Sequence, residues 1–430
     1  MPQPTAPLRV TAVHAVEILD SRGRPTLAID LTTTDGTFSA AVPSGASTGS
    51  GEAVELRDGD ATRFGGKGVL TAVSHVNGEL ADLLLSRAWP DLATLDDAMI
   101  TADGTANKSR LGANALVGLS MAAARAFAGG TELWLTLGIG APPRLPVPHF
   151  NVVNGGVHAP NALDFQEFMI APLGAPSLAE AVRAGAEVYA ALRARLAAGG
   201  HATGLGDEGG FAPDVARPEE VLSLLVAAIG DAGYQADRDG VAIALDPAAS
   251  EFHRDGRYRV AGQALSSDQL VDYYAELVDR FPIWSIEDGL GESDWDGWVR
   301  LTERLGGLVQ VVGDDIFVTN PEVIARAIGA GIGNAALIKV NQIGTVTETL
   351  AAMRLCRRHD YACMVSHRSG ETPDTFIADL TVGTGCGQLK SGAPARGERT
   401  AKYSRLLQIA DARSDLAYGL AETANSVGQG

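Results

Sequence analysis

Six short apolar segments, each ending in a charged or hydrogen-bonding residue, follow one another in the last two-fifths of the chain. They are VAIAL before Asp246, IWSI before Glu287, LVQVVG before Asp314, AALI before Lys339, ACMVS before His367 and Arg368, and GQL before Lys390. Their end residues are spaced 23 to 41 positions apart, and most of the gaps hold an Ala/Leu-rich stretch of helical character. This is the beat of repeated strand–helix units, and it predicts a (β/α) barrel. Residues at the carboxyl ends of such strands converge on one mouth. Three carboxylates, Asp246, Glu287 and Asp314, and two lysines, Lys339 and Lys390, would therefore share one pocket.

A chain of 430 residues exceeds what one ordinary core organises, so a large domain with a smaller companion is expected. A formal charge of -18 argues against a nucleic-acid or anionic-membrane partner, while leaving room for a small anion held by a local cluster of cations. Cys356, Cys363 and Cys386 have no CxxC or zinc-type spacing and read as structural thiols of a reducing compartment. The segment MPQPTAPLRV has no basic stretch followed by an apolar one, and no apolar run approaches the roughly 18 residues of a membrane span. A cytoplasmic protein is expected.

Residues 8 to 42 alternate as strands do, broken by SRGRP and TDGT, and predict a small sheet. Residues 68 to 128 change to a helical period, interrupted by a polar loop containing DGTANKS. The proline cluster APPRLPVP at 141 to 148 cannot continue a helix and suits a linker. The expected division is an α+β amino-terminal domain over residues 1–140 and a barrel over 141–430.

Several loops could carry chemistry. Pro43 to Gly49 is small and polar; it could close over an anion, offer oxygen to a cation, or be a plain loop. Asn154-Gly155-Gly156 leads to His158, which taken singly reads as a surface or structural histidine, and Gln166-Glu167 precede an apolar segment. Gly206 to Gly210 presents Asp207 and Glu208 between glycines, and Glu208 is a general-acid candidate. Each of Asp246, Glu287 and Asp314 could simply cap a helix or meet water at a strand end. Three in succession fit oxygen-only ligation of Mg²⁺, because converging carboxylates need a cation between them. Asp288 and Asp315 read as their structural neighbours. Lys339 and Lys390, set beside each other and a metal, would have a lowered ammonium pKa that frees an amine as base. His367, Arg368 and Ser369 supply donors suited to a phosphate, Arg368 by a bidentate contact.

Together DSRG at 20–23, PSGASTG at 43–49, NGG with His158, QEFMIAP, GDEGG, SIEDGL, GDD with FVTN, LIKVNQIGT, SHRSGET and AKYSRLL resemble the enolase family over about residues 8 to 409. The resemblance implies an eight-unit barrel of enolase type whose first turns depart from simple β/α alternation, with a smaller α+β domain, assembled as a homodimer or homo-octamer. It implies reversible dehydration of 2-phospho-D-glycerate to phosphoenolpyruvate. On this likeness Lys339 is the base at C2 and Glu208 the acid at the C3 hydroxyl, with Glu167 beside it. Asp246, Glu287 and Asp314 hold one Mg²⁺, and a second arrives with substrate and uses Ser47. His158, Gln166, His367, Arg368, Ser369 and Lys390 contact or position the substrate.

The chain departs from the common pattern of the family at Arg24, Ala106, Pro160 and Gly397, and the stretch after Leu407 lacks the usual acidic run. None of these is an assigned catalytic position; they bear on loop behaviour, subunit contacts and substrate choice. Two other readings follow: a dehydratase acting on a phosphonate or carboxyphosphonate analogue in specialised metabolism, and a non-catalytic scaffold.

Overall fold

The computed structural model describes residues 7–46 and 48–421. Three antiparallel strands, β1 (Val10–Leu19), β2 (Pro25–Thr33) and β3 (Gly36–Ala41), form the sheet of the amino-terminal domain. Asp20 Oδ1 accepts the backbone N–H groups of Arg22 and Arg24 at 2.8 and 2.9 Å, which makes the tight SRGRP turn between β1 and β2. The Ala-rich helix α1 (Ala113–Ala128) covers this sheet and is buried on almost every side. Helix within 70–85 passes through a π turn at Val76–Leu80. There Asn77 accepts the Ala15 N–H at 2.7 Å and donates to the Ala15 carbonyl at 2.9 Å, satisfying the outer edge of β1.

Eight strands close the barrel: β4 (Val147–Asn154), β5 (Glu167–Ala171), β6 (Ala242–Asp246), β7 (Ile283–Glu287), β8 (Gln310–Gly313), β9 (Ala335–Ile338), β10 (Ala362–Ser366) and β11 (Gln388–Lys390). β5 runs antiparallel to both neighbours, and every other adjacent pair is parallel. The departure from simple alternation therefore lies in the hairpin β4–β5, followed by two successive helices, α2 (Leu178–Ala198) and α3 (Pro218–Asp231). The sequence reading did not resolve this hairpin, because Val147–Asn154 is buried along its whole length and shows no alternation. The long interval between Asp246 and Glu287 holds a small antiparallel sheet at 253–265 before the helix Ser267–Arg280.

Strand alternation explains the charged mouth. Ala242, Ala244, Val312, Ala335, Leu337, Ala362 and Met364 face the barrel interior, while Ile243, Leu245, Val311, Ile338 and Val365 face the surrounding helices. Continuing the inward series by two residues reaches Asp246, Asp314, Lys339 and Ser366. Deeper in the barrel, Gln310 at the start of β8 and Gln388 exchange amide hydrogen bonds at 3.0 and 2.8 Å, so a polar pair shares the interior with the apolar residues beneath the charged mouth.

Helix α2 approaches β4 closely at Gly185, where an added Cβ would lie 2.2 Å from the buried Phe150 ring. Gly185→Ala should therefore lower stability by about 1–3 kcal/mol despite the better helix propensity of alanine, as checked by denaturant midpoint. An unchanged midpoint would show that the helix can shift outward freely.

Candidate active site

A single pocket at the carboxyl ends of the strands is lined by His158, Gln166, Glu167, Glu208, Asp246, Lys339, Ser366, His367, Arg368, Ser369 and Lys390. The strands deliver Glu167, Asp246, Glu287 and Lys390 as their first or last residues. Asp314, Lys339 and His367 follow the ends of β8, β9 and β10 directly. Loops deliver His158, Glu208, Arg368 and Ser369. Ser47 lies outside the described residues.

Lys390 is the electrostatic centre. Its Nζ lies 2.9 Å from Asp246 Oδ2, 2.8 Å from Glu287 Oε1 and 3.1 Å from Glu167 Oε2, with all four side chains buried. Burial acts against its charge, yet the carboxylates raise its pKa well above the ordinary lysine value. Lys339 Nζ meets Asp314 Oδ2 at 2.5 Å, and Asp314 Oδ1 accepts Gln342 Nε2 at 2.8 Å. Burial again acts against the ammonium, but Asp314 outweighs it and the Lys339 pKa is raised. The expected lowering of the lysine pKa is thus corrected for the free protein: each ammonium is held by carboxylates rather than repelled by its neighbour.

Glu287 is pushed well above the ordinary carboxyl range, first by burial and then by Asp246, and its Oε2 has no hydrogen-bond partner among the described residues. Buried, mutually repelling oxygens with an unpartnered atom match the donor set of a hard cation. Asp288, Asp314 and Asp315 form a second acidic group whose ligand atoms come within 4.8 Å of one another. Asp288 accepts the Asp314 and Asp315 N–H groups at 2.8 and 2.9 Å, so its role is to shape that turn, as read from the sequence.

His158, Glu167 and Glu208 cluster on the other wall. His158 Nδ1 is 3.6 Å from Glu167 Oε1 and 3.7 Å from Glu208 Oε1. Glu208 accepts Asn151 Nδ2 at 3.0 Å and lies 3.1 Å from His367 Nε2. Burial would raise Glu208, but His367 and His158 more than offset it and hold it well below the usual carboxyl range. Glu167 goes the opposite way, raised by burial and by the Glu208 charge. The two carboxyl groups are thus pushed apart, Glu167 up and Glu208 down, a distinction that the bare sequence does not carry.

Arg399, fully buried, was not singled out from the sequence. It donates to the carbonyls of Arg368, Ser369 and Asp207 and to His367 Nδ1 at 2.5 Å, leaving His367 Nε2–H to face Glu208. Burial pushes His367 down to about 4, so it is neutral at physiological pH. Glu52, Asn151, Asn341 and Gln342 were missed as well; the LIKVNQIGT motif pointed to the last two, while Glu52 had no local signal. Gln166 is buried with no partner for Oε1 among the described residues, and Ser369 Oγ accepts the Ala46 N–H at 3.0 Å.

A closed barrel whose strand ends gather buried carboxylates, lysines and histidines defines an enzyme of the acid–base barrel class. Residues 143–425 match the family model described as the enolase C-terminal TIM barrel domain, and residues 10–137 match that of the enolase N-terminal domain. An enolase of Rubrobacter xylanophilus is 55% identical over 413 residues, covering 95% of this chain and 96% of the relative. One of Acidothermus cellulolyticus is 55% identical over 411 residues, covering 95% of each. The chain belongs to the enolase family.

Proposed function

We propose that this protein catalyses the Mg²⁺-dependent, reversible dehydration of 2-phospho-D-glycerate to phosphoenolpyruvate. The observation that carries this reading is the 55% identity to enolases across nearly the whole chain. Its support in the site is that the candidate acid, base and binding residues line one pocket. No observation favours the phosphonate reading, and a full acid–base set argues against a scaffold. We take the domains as 1–140 and 141–430, the assembly as a homodimer or homo-octamer, and the location as cytoplasmic. Among the described residues no helix is long and apolar enough to cross a membrane.

The C2 proton of the substrate lies beside an ionised carboxylate, so its removal places a second negative charge on one group. Bound Mg²⁺, two per site with the second arriving with substrate, would supply positive charge to those oxygens. Asp246, Glu287 and Asp314 would hold the first ion and Ser47 would contribute to the second. Lys339 takes the C2 proton. Asp314, which meets Lys339 Nζ, is also among the residues that would hold the cation, and a cation bound there would loosen its hold on the Lys339 proton. The C3 hydroxyl leaves as water with a proton delivered by Glu208 as the acid, with Glu167 beside it. Arg368 and Ser369 receive the phosphoryl group; His158, Gln166, His367 and Lys390 fix the remainder.

The test is formation of the enol absorbance from 2-phospho-D-glycerate with and without Mg²⁺. Metal-dependent phosphoenolpyruvate formation is expected. A protein that binds Mg²⁺ yet leaves this substrate unchanged would overturn the reading.

A further inference from the structure

Arg368 does not meet the pocket as a lone cation. Its Nη1 and Nη2 donate to Glu52 Oε2 and Oε1, both at 3.0 Å, with both side chains buried or nearly so. Asn341 Oδ1 accepts a further bond from Nη1 at 3.1 Å. Glu52 comes from the amino-terminal domain, three residues beyond the 43–49 loop. Its Oε1 also accepts the Gly49 N–H at 3.2 Å and Gln342 Nε2 at 3.4 Å, and Gln342 is the amide that holds Asp314. Gly49 itself has no room to retreat: an added Cβ would lie 2.6 Å from Val318 Cγ1 and 2.8 Å from the Asp315 carbonyl. One carboxylate thus touches the loop of Ser47, the arginine assigned to the phosphoryl group and the amide behind Asp314.

We propose that Glu52 is a positioning residue for the reaction, orienting Arg368 and tying Gly49 to the barrel mouth, so that phosphoryl binding depends on it. This rests on the proposed function, in which Arg368 receives the phosphoryl group. The physical reason is that a buried guanidinium without a fork-shaped counterion is both costly and free to turn away from the pocket. Glu52 fixes the end-on face of the fork, and with it the plane in which the other edges meet an anion. The same oxygen also accepts the Gly49 N–H, so Gly49 and the arginine share one anchor.

The experiment is steady-state kinetics of Glu52→Gln with 2-phospho-D-glycerate at saturating Mg²⁺, together with inhibition by inorganic phosphate. KM and the phosphate inhibition constant should each rise about tenfold, with a smaller fall in kcat. In an Arg368→Gln background, adding Glu52→Gln should change KM little further, because the two act as one unit. A folded Glu52→Gln variant with wild-type KM and phosphate inhibition overturns the proposal, and so do fully additive effects in the cycle. Should the Gln variant fail to fold, Glu52→Asp keeps the charge on a shorter stem and should give an intermediate KM; a wild-type value there also overturns it. Failure of the parent reading looks different: wild type would not turn over 2-phospho-D-glycerate, or Arg368→Gln alone would leave KM unchanged.

Discussion

Lys339→Ala should abolish exchange of the C2 proton of 2-phospho-D-glycerate with solvent and lower turnover by about 10⁴-fold, while Mg²⁺ and substrate still bind. Two lysines line the pocket, and their partners separate their roles. Lys390 lies within ion-pair distance of Asp246, Glu287 and Glu167, so removing its proton would leave three carboxylates facing one another around an uncharged amine. Lys339 has one such partner, Asp314, whose second oxygen is already engaged by Gln342. Changing the charge on Asp314 is therefore enough to alter how firmly Lys339 holds its proton, and no comparable single change releases Lys390. Exchange is read by NMR of the substrate in deuterated buffer, and binding by calorimetry. Retained exchange in the alanine variant would remove Lys339 as the base.

The mouth of the barrel was legible in the sequence because strand alternation and strand ends are local properties. Asp246, Glu287, Asp314, Lys339 and Lys390 each follow an apolar run, and the structure places them where that pattern puts them. The hairpin β4–β5 was not legible, since a segment buried on both faces has no period to read. Nor was Glu52, which meets Arg368 across 316 residues of chain and two domains. The protonation states were the least legible. Proximity of Lys339 to Lys390 and to a metal suggested depressed pKa values, but in the metal-free protein the carboxylate contacts raise both. Likewise, only the closeness of His367 and His158 to Glu208 explains why the Glu208 pKa goes down while that of Glu167 goes up.

Asp246→Asn should weaken Mg²⁺ binding by about 10²-fold and raise the Mg²⁺ concentration for half-maximal activity in parallel. The substitution keeps the shape of the side chain and leaves Oδ1 able to accept the Ala248 N–H, now at 3.0 Å. What it removes is a full negative charge from a site where Glu287 and Asp314 are its neighbours. The choice of residue discriminates between the two acidic groups at the mouth, which share Asp314. If the ion sits among Asp246, Glu287 and Asp314, Asp246→Asn is severe and Asp315→Asn mild. If it sits among Asp288, Asp314 and Asp315, the order reverses. Geometry favours the first, because both Asp288 oxygens are engaged by backbone N–H groups, whereas Glu287 keeps a buried oxygen without a hydrogen-bond partner among the described residues. Calorimetric titration of Mg²⁺ into the substrate-free protein gives the answer independently of turnover. Unchanged affinity in Asp246→Asn would move the ligand set to the second group and, with it, separate Lys390 from the metal.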